Sequence, residues 1–299
     1  MGLKSYIKRK QISLLIKIGK KNIISDESYL KKMYKLKYGG KLDLDNPITF
    51  NEKIQWLKLY NKENKYTNMV DKYEVKKYIE TKIGKEYVIP LIGFYKSFDE
   101  IDFKKLPNQF VIKCTHDSGG VVICKDKNNF DINKAKRVID KRLSRNFYYN
   151  FREYVYKDIP PRIIVEKYME DYKIKELRDY KFFCFKGNPK LIQVDFNRFQ
   201  NHKRNVYDLN WKLLDLEIHY PSDRSVKIKK PKNFKKMIDI AKKLSADIPF
   251  VRVDLYNVNG KIYFGELTFY HGSGYEIIKP SGWNKKLGDY IELPNKKNN

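Results

Sequence analysis

The chain has 299 residues, of which 41% are hydrophobic and 15% aromatic, a composition that excludes an intrinsically disordered protein and allows sizeable cores. Its net charge of +27 favours anionic partners, but the lysines are spread along the chain and form no recognisable nucleic-acid-binding motif. No apolar run approaches the roughly 18 residues of a membrane span, and the first residues do not match a secretory signal peptide.

Cysteine usage indicates the compartment. Cys114, Cys124 and Cys184 lie in apolar, strand-like runs and lack the spacing of metal ligands. A sparse, odd set of this kind predicts buried, reduced thiols and therefore a cytoplasmic protein.

The first 25 residues are strongly basic, with no acidic residue before Asp26. The basic residues are Lys4, Lys8, Arg9, Lys10, Lys17, Lys20 and Lys21. Because isoleucine and leucine are interleaved with them, the segment predicts an amphipathic helix that can lie on an anionic membrane surface, the inner face of the cell membrane. The open alternative is a helix docked on the protein with its charges in water.

Helical patterns dominate the first part of the chain. Residues 25–38 predict one helix, and Thr49 with Glu52 has the capping-box spacing that begins another. A further helix is predicted over residues 69–83, followed by a short strand over 87–92.

The remainder alternates strands and helices. The predicted elements are strands 110–114 and 121–124, a helix after Asp131, strands 162–165, 179–185 and 191–196, a helix over 233–246, and a final hairpin. With no internal repeat and no Pro/Ser-rich linker, this order predicts one compact α+β unit.

A glycine-containing loop follows the first of these strands. Lys113 ends the strand, and the loop contains Ser118, Gly119 and Gly120. Glycines let backbone N–H groups approach a phosphate, and a lysine supplies the opposite charge. A tight hairpin turn could hold the same glycines, so both interpretations stay open.

The next strand ends in a buried acid. Glu166 follows an apolar strand, and the extended continuation through Tyr168 and Met169 can present backbone groups to an adenine edge. The alternative is simply a strand that leaves the core.

Charged residues also converge on the following strand pair. Asp179 and Lys181 share one face of a strand, and Arg198 and Arg204 follow its predicted partner. Such basic side chains suit a triphosphate or a carboxylate substrate, although an exposed basic sheet edge would carry the same residues.

The final hairpin carries two acids. Arg252 and Asp254 share a face of one strand, and Glu266 and Thr268 share a face of the other. A three-residue loop with Gly260 in the left-handed conformation would make Asp254 and Glu266 diagonal neighbours able to hold Mg²⁺. The alternative is a solvated edge hairpin.

The order of these parts resembles the ATP-grasp superfamily of carboxylate–amine ligases, and most closely its teichuronopeptide-type (TupA-like) family of bacterial surface-polysaccharide loci. The matching runs are FNEKIQW at 50–56, K-x-x-H-x-S-G at 113–119, DYKFFCFKG at 179–187, RVDLY at 252–256 and GELTF at 265–269. Together they cover roughly residues 30–293.

The resemblance implies an α+β ATP-grasp fold, with ATP and Mg²⁺ between two α+β subdomains. The implied nucleotide-binding residues are Lys72, Lys113, Ser118, Gly119, Gly120, Glu166, Tyr168, Met169 and Asp179. The implied metal ligands are Asp254, Glu266 and Thr268, where many relatives carry Asn in place of the threonine. The implied catalytic residues are Lys181, Arg198 and Arg252, with His271 as a candidate acid/base, or else a structural or substrate-contacting histidine.

The resemblance also implies a domain order and an activity. The expected segments are a basic helical extension (1–66), a preceding segment (67–106), a small subdomain with the glycine loop (107–170), a large subdomain with the metal site (171–294) and a frayed tail (295–299). The expected activity is ligation through an acyl phosphate, joining an acidic polysaccharide or sugar carboxylate to an amine, with no nucleic-acid partner. The alternatives are a glycosyltransferase or kinase of the same pathway, or a non-enzymatic polyanion-binding protein.

Overall fold

The structure, a computed structural model, describes residues 3–173, 177–197 and 201–296. The helices are α1 (Leu3–Lys20), α2 (Asp26–Tyr38), α3 (Phe50–Tyr60), α4 (Asn64–Val70), α5 (Glu74–Lys82), α6 (Ile132–Leu143), α7 (Tyr148–Phe151), α8 (Phe234–Ser245) and α9 (Gly282–Asp289). The strands are β1 (Leu91–Tyr95), β2 (Phe110–Cys114), β3 (Val121–Cys124), β4 (Ile163–Lys167), β5 (Asp179–Phe185), β6 (Asn188–Phe196), β7 (Lys203–Tyr207), β8 (Glu217–Ile218), β9 (Val251–Val258), β10 (Lys261–Thr268) and β11 (Ile278–Lys279).

The smaller of the two main sheets has the strand order β1-β4-β2-β3 and is antiparallel throughout. Burial alternates along β2: Phe110 and Ile112 pack with Ile139 of α6, while Val111 and Lys113 point to the opposite face. That opposite face is therefore available to line a site.

The larger sheet has the order β10-β9-β5-β6-β7, also antiparallel. The apolar stripe of α8, including Met237 and Leu244, covers one face, which carries Phe182 and Val253. Helices α1 to α3 join the same hydrophobic core. The division of the chain into the five expected segments stays a prediction.

The β9–β10 hairpin differs from the expected one. Its turn has two residues, Asn259 and Gly260, both with positive φ (53° and 85°), and the extra residue is a bulge at Gly265. Asp254 and Glu266 are directly opposite each other, so the expected three-residue loop and diagonal placement are wrong. Without the bulge Glu266 would face Val253 on the core side, since register decides the face.

Two other predicted elements have different bounds. The helix expected over 69–83 is broken between α4 and α5, because Asp71 Oδ1 accepts from the backbone N–H of Tyr73 (2.8 Å) and the backbone N–H of Lys72 donates to Thr115 O (3.2 Å). The strand expected over 87–92 begins only at Leu91, after a 3₁₀ turn and Pro90. These tertiary contacts override the local pattern.

Other expectations are confirmed. The three cysteines are free and buried, and the capping box of Thr49 and Glu52 is present. Among the residues that the structure describes, no helix combines the length and apolar character needed to cross a membrane.

We predict that Gly265→Ala destabilises the protein by about 1–3 kcal/mol, the usual cost of overpacking. A Cβ atom there would lie 3.0 Å from Asp254 O and 3.2 Å from the Tyr256 ring, so the bulge would have to shift. Urea denaturation gives the free energy of unfolding. Gly40→Ala is the matched control, since a Cβ atom at Gly40 meets no atom within 4 Å. Equal stability of the two variants would contradict the assigned role of the bulge.

Candidate functional site

A cavity of about 650 Å³ lies between the two main sheets. Its apolar walls come from both sides and include Val75, Val88, Ile89, Val111, Val121, Ile123, Met169, Phe264 and Leu267. Tyr168 and Met169 follow β4 along one wall. A pocket of this size, mostly apolar with a few charged groups, is typical of a small-molecule or nucleotide site.

Lysines from the small-sheet side surround one acid in the cavity. Glu166 on β4 forms an ion pair with Lys113 on β2, Nζ to Oε2 at 2.6 Å, and a second with Lys76 on α5. Lys72 also lines the cavity, and its Nζ donates to Asp117 O at 2.5 Å. These three lysines reach the cavity, as do Lys125 and Lys167, and supply an anion-binding end.

Burial and the neighbouring charges shift the pKa values of Glu166 and Lys72. Burial would raise the pKa of Glu166, but the charges of Lys113 and Lys76 outweigh it and lower that pKa, so Glu166 is ionised. Burial lowers the pKa of Lys72. Because Glu166 already accepts from two lysines, it organises these cations as well as lying beside the predicted adenine position.

The glycine loop is held in place by ion pairs of Asp117. The carboxylate of Asp117 is fully buried and pairs with Arg142 (3.1 Å), in the last turn of α6, and with Arg145 (2.9 Å), just beyond that helix. Ser118 and Gly119 above it are exposed, and Gly119 and Gly120 have positive φ. The tip adjoins the strands of the cavity wall without being among the residues that line the cavity.

The polar face of the large sheet forms a second charged centre. Arg252 donates two hydrogen bonds to Asp254, from Nε to Oδ1 (2.7 Å) and from Nη2 to Oδ2 (2.6 Å). Lys181 donates to the same Asp254 Oδ2 (2.8 Å) and lies 3.1 Å from Asp179 Oδ2. Glu266 Oε1 accepts from Arg252 at 3.0 Å.

The two acids of this centre differ in exposure. Asp254 is 1% exposed, and burial raises its pKa, whereas the side chain of Glu266 is 51% exposed and lines the cavity. Burial would raise the pKa of Glu266, but Arg252, Lys181 and Lys72 together lower it. Glu266 is therefore the ionised carboxylate that a ligand in the cavity meets first.

The residues present fit Mg²⁺. Asp254 and Glu266 are cross-strand partners, and Thr268 donates its hydroxyl to Glu266 Oε1 at 3.3 Å, so three hard oxygen groups lie together. Mg²⁺ commonly takes one or two carboxylates and completes its shell with phosphate oxygens and water. Within the described parts of the chain, no cluster of three or more His, Cys, Asp and Glu side chains could hold a metal. Phosphate oxygens would therefore have to contribute.

His271 lies behind this centre and is 2% exposed. Its Nδ1 is 2.8 Å from Arg252 Nη1, and its Nε2 is 2.8 Å from Glu276 Oε2. Since a guanidinium only donates, Nδ1 must accept and the neutral ring must carry its hydrogen on Nε2. With both nitrogens occupied, the geometry favours a structural role over the predicted acid/base role.

The structure brings most of the predicted site residues into two adjacent groups. The cavity is lined by Lys72, Lys113, Glu166, Tyr168, Met169 and Glu266. The polar sheet face holds Asp179, Lys181, Arg252, Asp254 and Thr268. Arg198 lies outside the described residues. The assigned roles of all these residues remain predictions.

Several charged residues of the site were not identified from the sequence. Lys76 lies four positions after Lys72 within the segment predicted as one helix, and that spacing alone could have indicated a shared direction. Asp195 lines the cavity beside Gln193, and Arg204 Nε donates to Asp195 Oδ1 at 2.7 Å. Gln193 and Asp195 alternate along β6, the pattern of one polar strand face.

A cavity between two α+β halves, with lysines on one half and paired carboxylates on the other, is the arrangement of an ATP-grasp protein. The family model described as TupA-like ATPgrasp matches residues 52–292. The chain belongs to this TupA-like ATP-grasp family. Membership confirms the predicted α+β ATP-grasp fold and the class of ATP-dependent enzyme.

Solved structures give more distant likenesses. D-alanine–D-alanine ligase from Bacillus anthracis is 17% identical over 80% of this chain and 67% of its own, with a TM-score of 0.41. The enzyme from Helicobacter pylori is 14% identical over 75% and 61%, with a TM-score of 0.40. The ATP-grasp ligase PsnB, with Mg, ADP and a phosphomimetic variant of its minimal precursor, is 6% identical over 73% and 57%, with a TM-score of 0.41.

The chain thus spans 57–67% of the length of these three structures, and such low TM-scores carry no argument about its activity. No curated protein matches the chain. The family assignment therefore rests on the family model.

We predict that His271 makes stability depend on pH. Burial lowers the pKa of His271 below its ordinary value of 6.5, so below that pH the unfolded chain binds a proton that the folded protein does not. Its stabilising contribution is thus present above pH 6.5 and is lost as the pH falls towards its folded pKa. His271→Gln should reduce the slope of unfolding free energy against pH by at most about 1.4 kcal/mol per pH unit. An unchanged slope in urea titrations would contradict a buried neutral His271.

Proposed function

We propose that the protein is an ATP- and Mg²⁺-dependent carboxylate–amine ligase that modifies a bacterial surface polysaccharide, such as a uronic-acid glycan. The observation that carries the proposal is the cross-strand pairing of Asp254 with Glu266 beside Lys181 and Arg252. This pair lies at the edge of a cavity whose lining includes Lys72, Lys76 and Lys113. The family resemblance and the net charge of +27 support an acidic polymer as the acceptor.

The reaction has two steps. An oxygen of the acceptor carboxylate attacks the γ-phosphorus of ATP, the bond to the β-phosphate oxygen breaks, and ADP leaves. The amine nitrogen then attacks the carbonyl carbon of the acyl phosphate, inorganic phosphate leaves and the nitrogen loses a proton. The products are the amide, ADP and phosphate.

The residues of the chain have separate tasks in this scheme. Lys72 and Lys113 would bind phosphate oxygens, and Lys181 and Arg252 would stabilise the negative charge of the transferred phosphoryl group. Asp254 and Glu266 would hold Mg²⁺, which neutralises charge on the phosphates when bound. The apolar walls beside Tyr168 and Met169 would enclose the base and exclude water.

We predict that Glu266→Gln weakens Mg²⁺-dependent binding of ATP and lowers ADP release by about 100-fold or more, the loss seen when a stabilising group of a charged transition state is removed. The side chain keeps its shape and loses only its charge. Calorimetric titration with an ATP analogue, with and without Mg²⁺, measures the effect. If the variant binds Mg·ATP normally and retains full ADP release, the metal assignment fails.

The same protein distinguishes the competing activities. A ligase turns over ATP repeatedly, with release of ADP and free phosphate, when the carboxylate and the amine are both present. A kinase would leave the phosphate on its product, and a sugar-nucleotide transferase would turn over a UDP-sugar without ATP. An assay of each nucleotide with the same acceptors separates the three.

We also propose that α1 places the enzyme on an anionic membrane surface. The helix has two apolar sides: Leu15 is buried on the core, whereas Tyr6, Ile7 and Leu14 are 46–58% exposed. Lys10 and Lys17 lie on that outer side by helical spacing, and α1 has no acidic residue. An exposed apolar strip flanked only by cations is complementary to an anionic bilayer.

The core holds α1 in place. Arg152 is 1% exposed, and its Nη2 donates to Gly19 O (2.9 Å) while its Nε pairs with Asp26 (2.8 Å). A groove of about 700 Å³ runs beside the helix towards α2. Its lining is apolar and basic and consists of Ile7, Lys8, Gln11, Leu15, Lys32, Lys35, Leu36 and Gly39.

We predict that the double change Ile7→Glu and Leu14→Glu abolishes binding to vesicles of phosphatidylglycerol and phosphatidylcholine, measured by co-sedimentation. Acids on the outer side of α1 would repel the lipid headgroups and remove the apolar contact. The matched control changes the exposed Ile132 and Tyr172 to Glu, which alters the net charge equally. Equal loss in the control, or binding that depends on salt alone, would contradict a membrane-docking helix and favour unspecific polyanion binding.

A further inference from the structure

The turn that carries His271 has an uncommon backbone. Gly272, Ser273 and Gly274 all have left-handed φ values of 55°, 54° and 65°. Two of them are glycines, but Ser273 has a side chain, and a left-handed residue with a Cβ atom costs roughly 1–2 kcal/mol. The surrounding structure must therefore hold this turn in its conformation.

Buried side chains of α3 supply those contacts. Gln55 Nε2 donates to Ser273 O and to Gly274 O, both at 3.0 Å. Lys58 Nζ donates to Ser273 O at 2.7 Å and to Gln55 Oε1 at 3.0 Å. On the other side, the Ser273 hydroxyl donates to Glu153 Oε1. The turn is thus held through its carbonyl groups and its one side chain.

These polar residues are enclosed by protein: Gln55 is 0%, Lys58 1% and Glu153 5% exposed. Burial lowers the pKa of Lys58 to about 7 against the opposing charge of Glu153. Buried charged groups of opposite sign often add little to stability compared with apolar residues of the same size. The hydrogen bonds of Lys58 and Glu153 to Ser273 instead indicate that these residues select one conformation of the turn.

The turn at residues 271–274 also sets the position of His271. That residue opens the turn with its Nδ1 2.8 Å from Arg252 Nη1, and its Nε2 faces Glu276 just after the turn. Asn51, also on α3, donates to Glu276 O at 3.1 Å. Helix α3, outside the two main sheets, therefore contacts the backbone of Ser273, Gly274 and Glu276, which follow His271 in the chain.

We infer that Gln55 and Lys58 are positioning residues that hold the turn 271–274, and through His271 orient the Arg252 guanidinium beside Asp254 and Glu266. The role of Arg252 in phosphoryl transfer rests on the proposed function. The positioning itself rests only on the hydrogen bonds and burial of α3 and the turn.

Imidazole nitrogen–proton NMR spectra test the inference, because the chain has only four histidines and His271→Gln identifies the signal of interest. Lys58→Met and Gln55→Met each remove donors to the turn with little change of volume, and both should shift the His271 resonances. Lys53→Met is the matched control: this lysine is on the same helix and donates to Gly288 O and Ile291 O, both at 2.9 Å, away from the turn. It should leave the His271 resonances in place.

Unchanged His271 resonances in a folded Lys58→Met or Gln55→Met protein would overturn the inference, and so would an equal shift in the Lys53→Met control. If Lys58→Met does not fold, Gln55→Met, which changes no charge, provides the test of the inference. Binding of a non-hydrolysable ATP analogue with Mg²⁺ should be retained in both variants, since neither residue lines the cavity. Failure of the unaltered protein to bind that analogue would contradict the proposed function and leave the positioning inference intact, because the spectra require no ligand.

Discussion

The candidate site depends on one buried interaction, the two-bond contact between Arg252 and Asp254. A carboxylate that is 1% exposed would be strongly destabilising without partners, and Arg252 and Lys181 together supply them. The buried guanidinium of Arg252 also needs partners of its own, and Glu266 and His271 supply them. A polar network therefore covers one face of the large sheet, while α8 packs against the other face.

The two main sheets divide the tasks of the site. The small sheet brings Lys113 and Glu166 to the cavity from neighbouring strands, and α5 adds Lys76. The large sheet brings the carboxylates and the cations that face them. Lysines outnumber the one acid on the small-sheet side, whereas on the large sheet Asp179, Asp254 and Glu266 outnumber two cations. The cavity between them therefore suits a ligand that carries charges of both signs, such as a nucleotide triphosphate with a divalent cation.

Strand positions, their order and the residue types at the site could be predicted from the sequence because each depends on local pattern. The β9–β10 hairpin shows the limit of prediction from local sequence pattern. Its residues could be predicted, and so could the placement of Arg252 and Asp254 on one face of the strand. The predicted turn length was wrong, because the extra residue lies in the bulge at Gly265. Lys76 and Asp195 were missed for a related reason: their importance comes from what lies opposite them across the cavity.

The sequence alone determined the family, the α+β class and most of the residues with chemical potential, because motif order and alternation are properties of the chain itself. Only the tertiary structure decided that Glu266 stands opposite Asp254, that Glu166 is shared by two lysines, and that α3 holds the turn of His271. The physical reason is that hydrogen bonds, ion pairs and strand register join residues far apart in the chain, such as Gln55 and Ser273, which are 218 positions apart. No local pattern encodes such contacts.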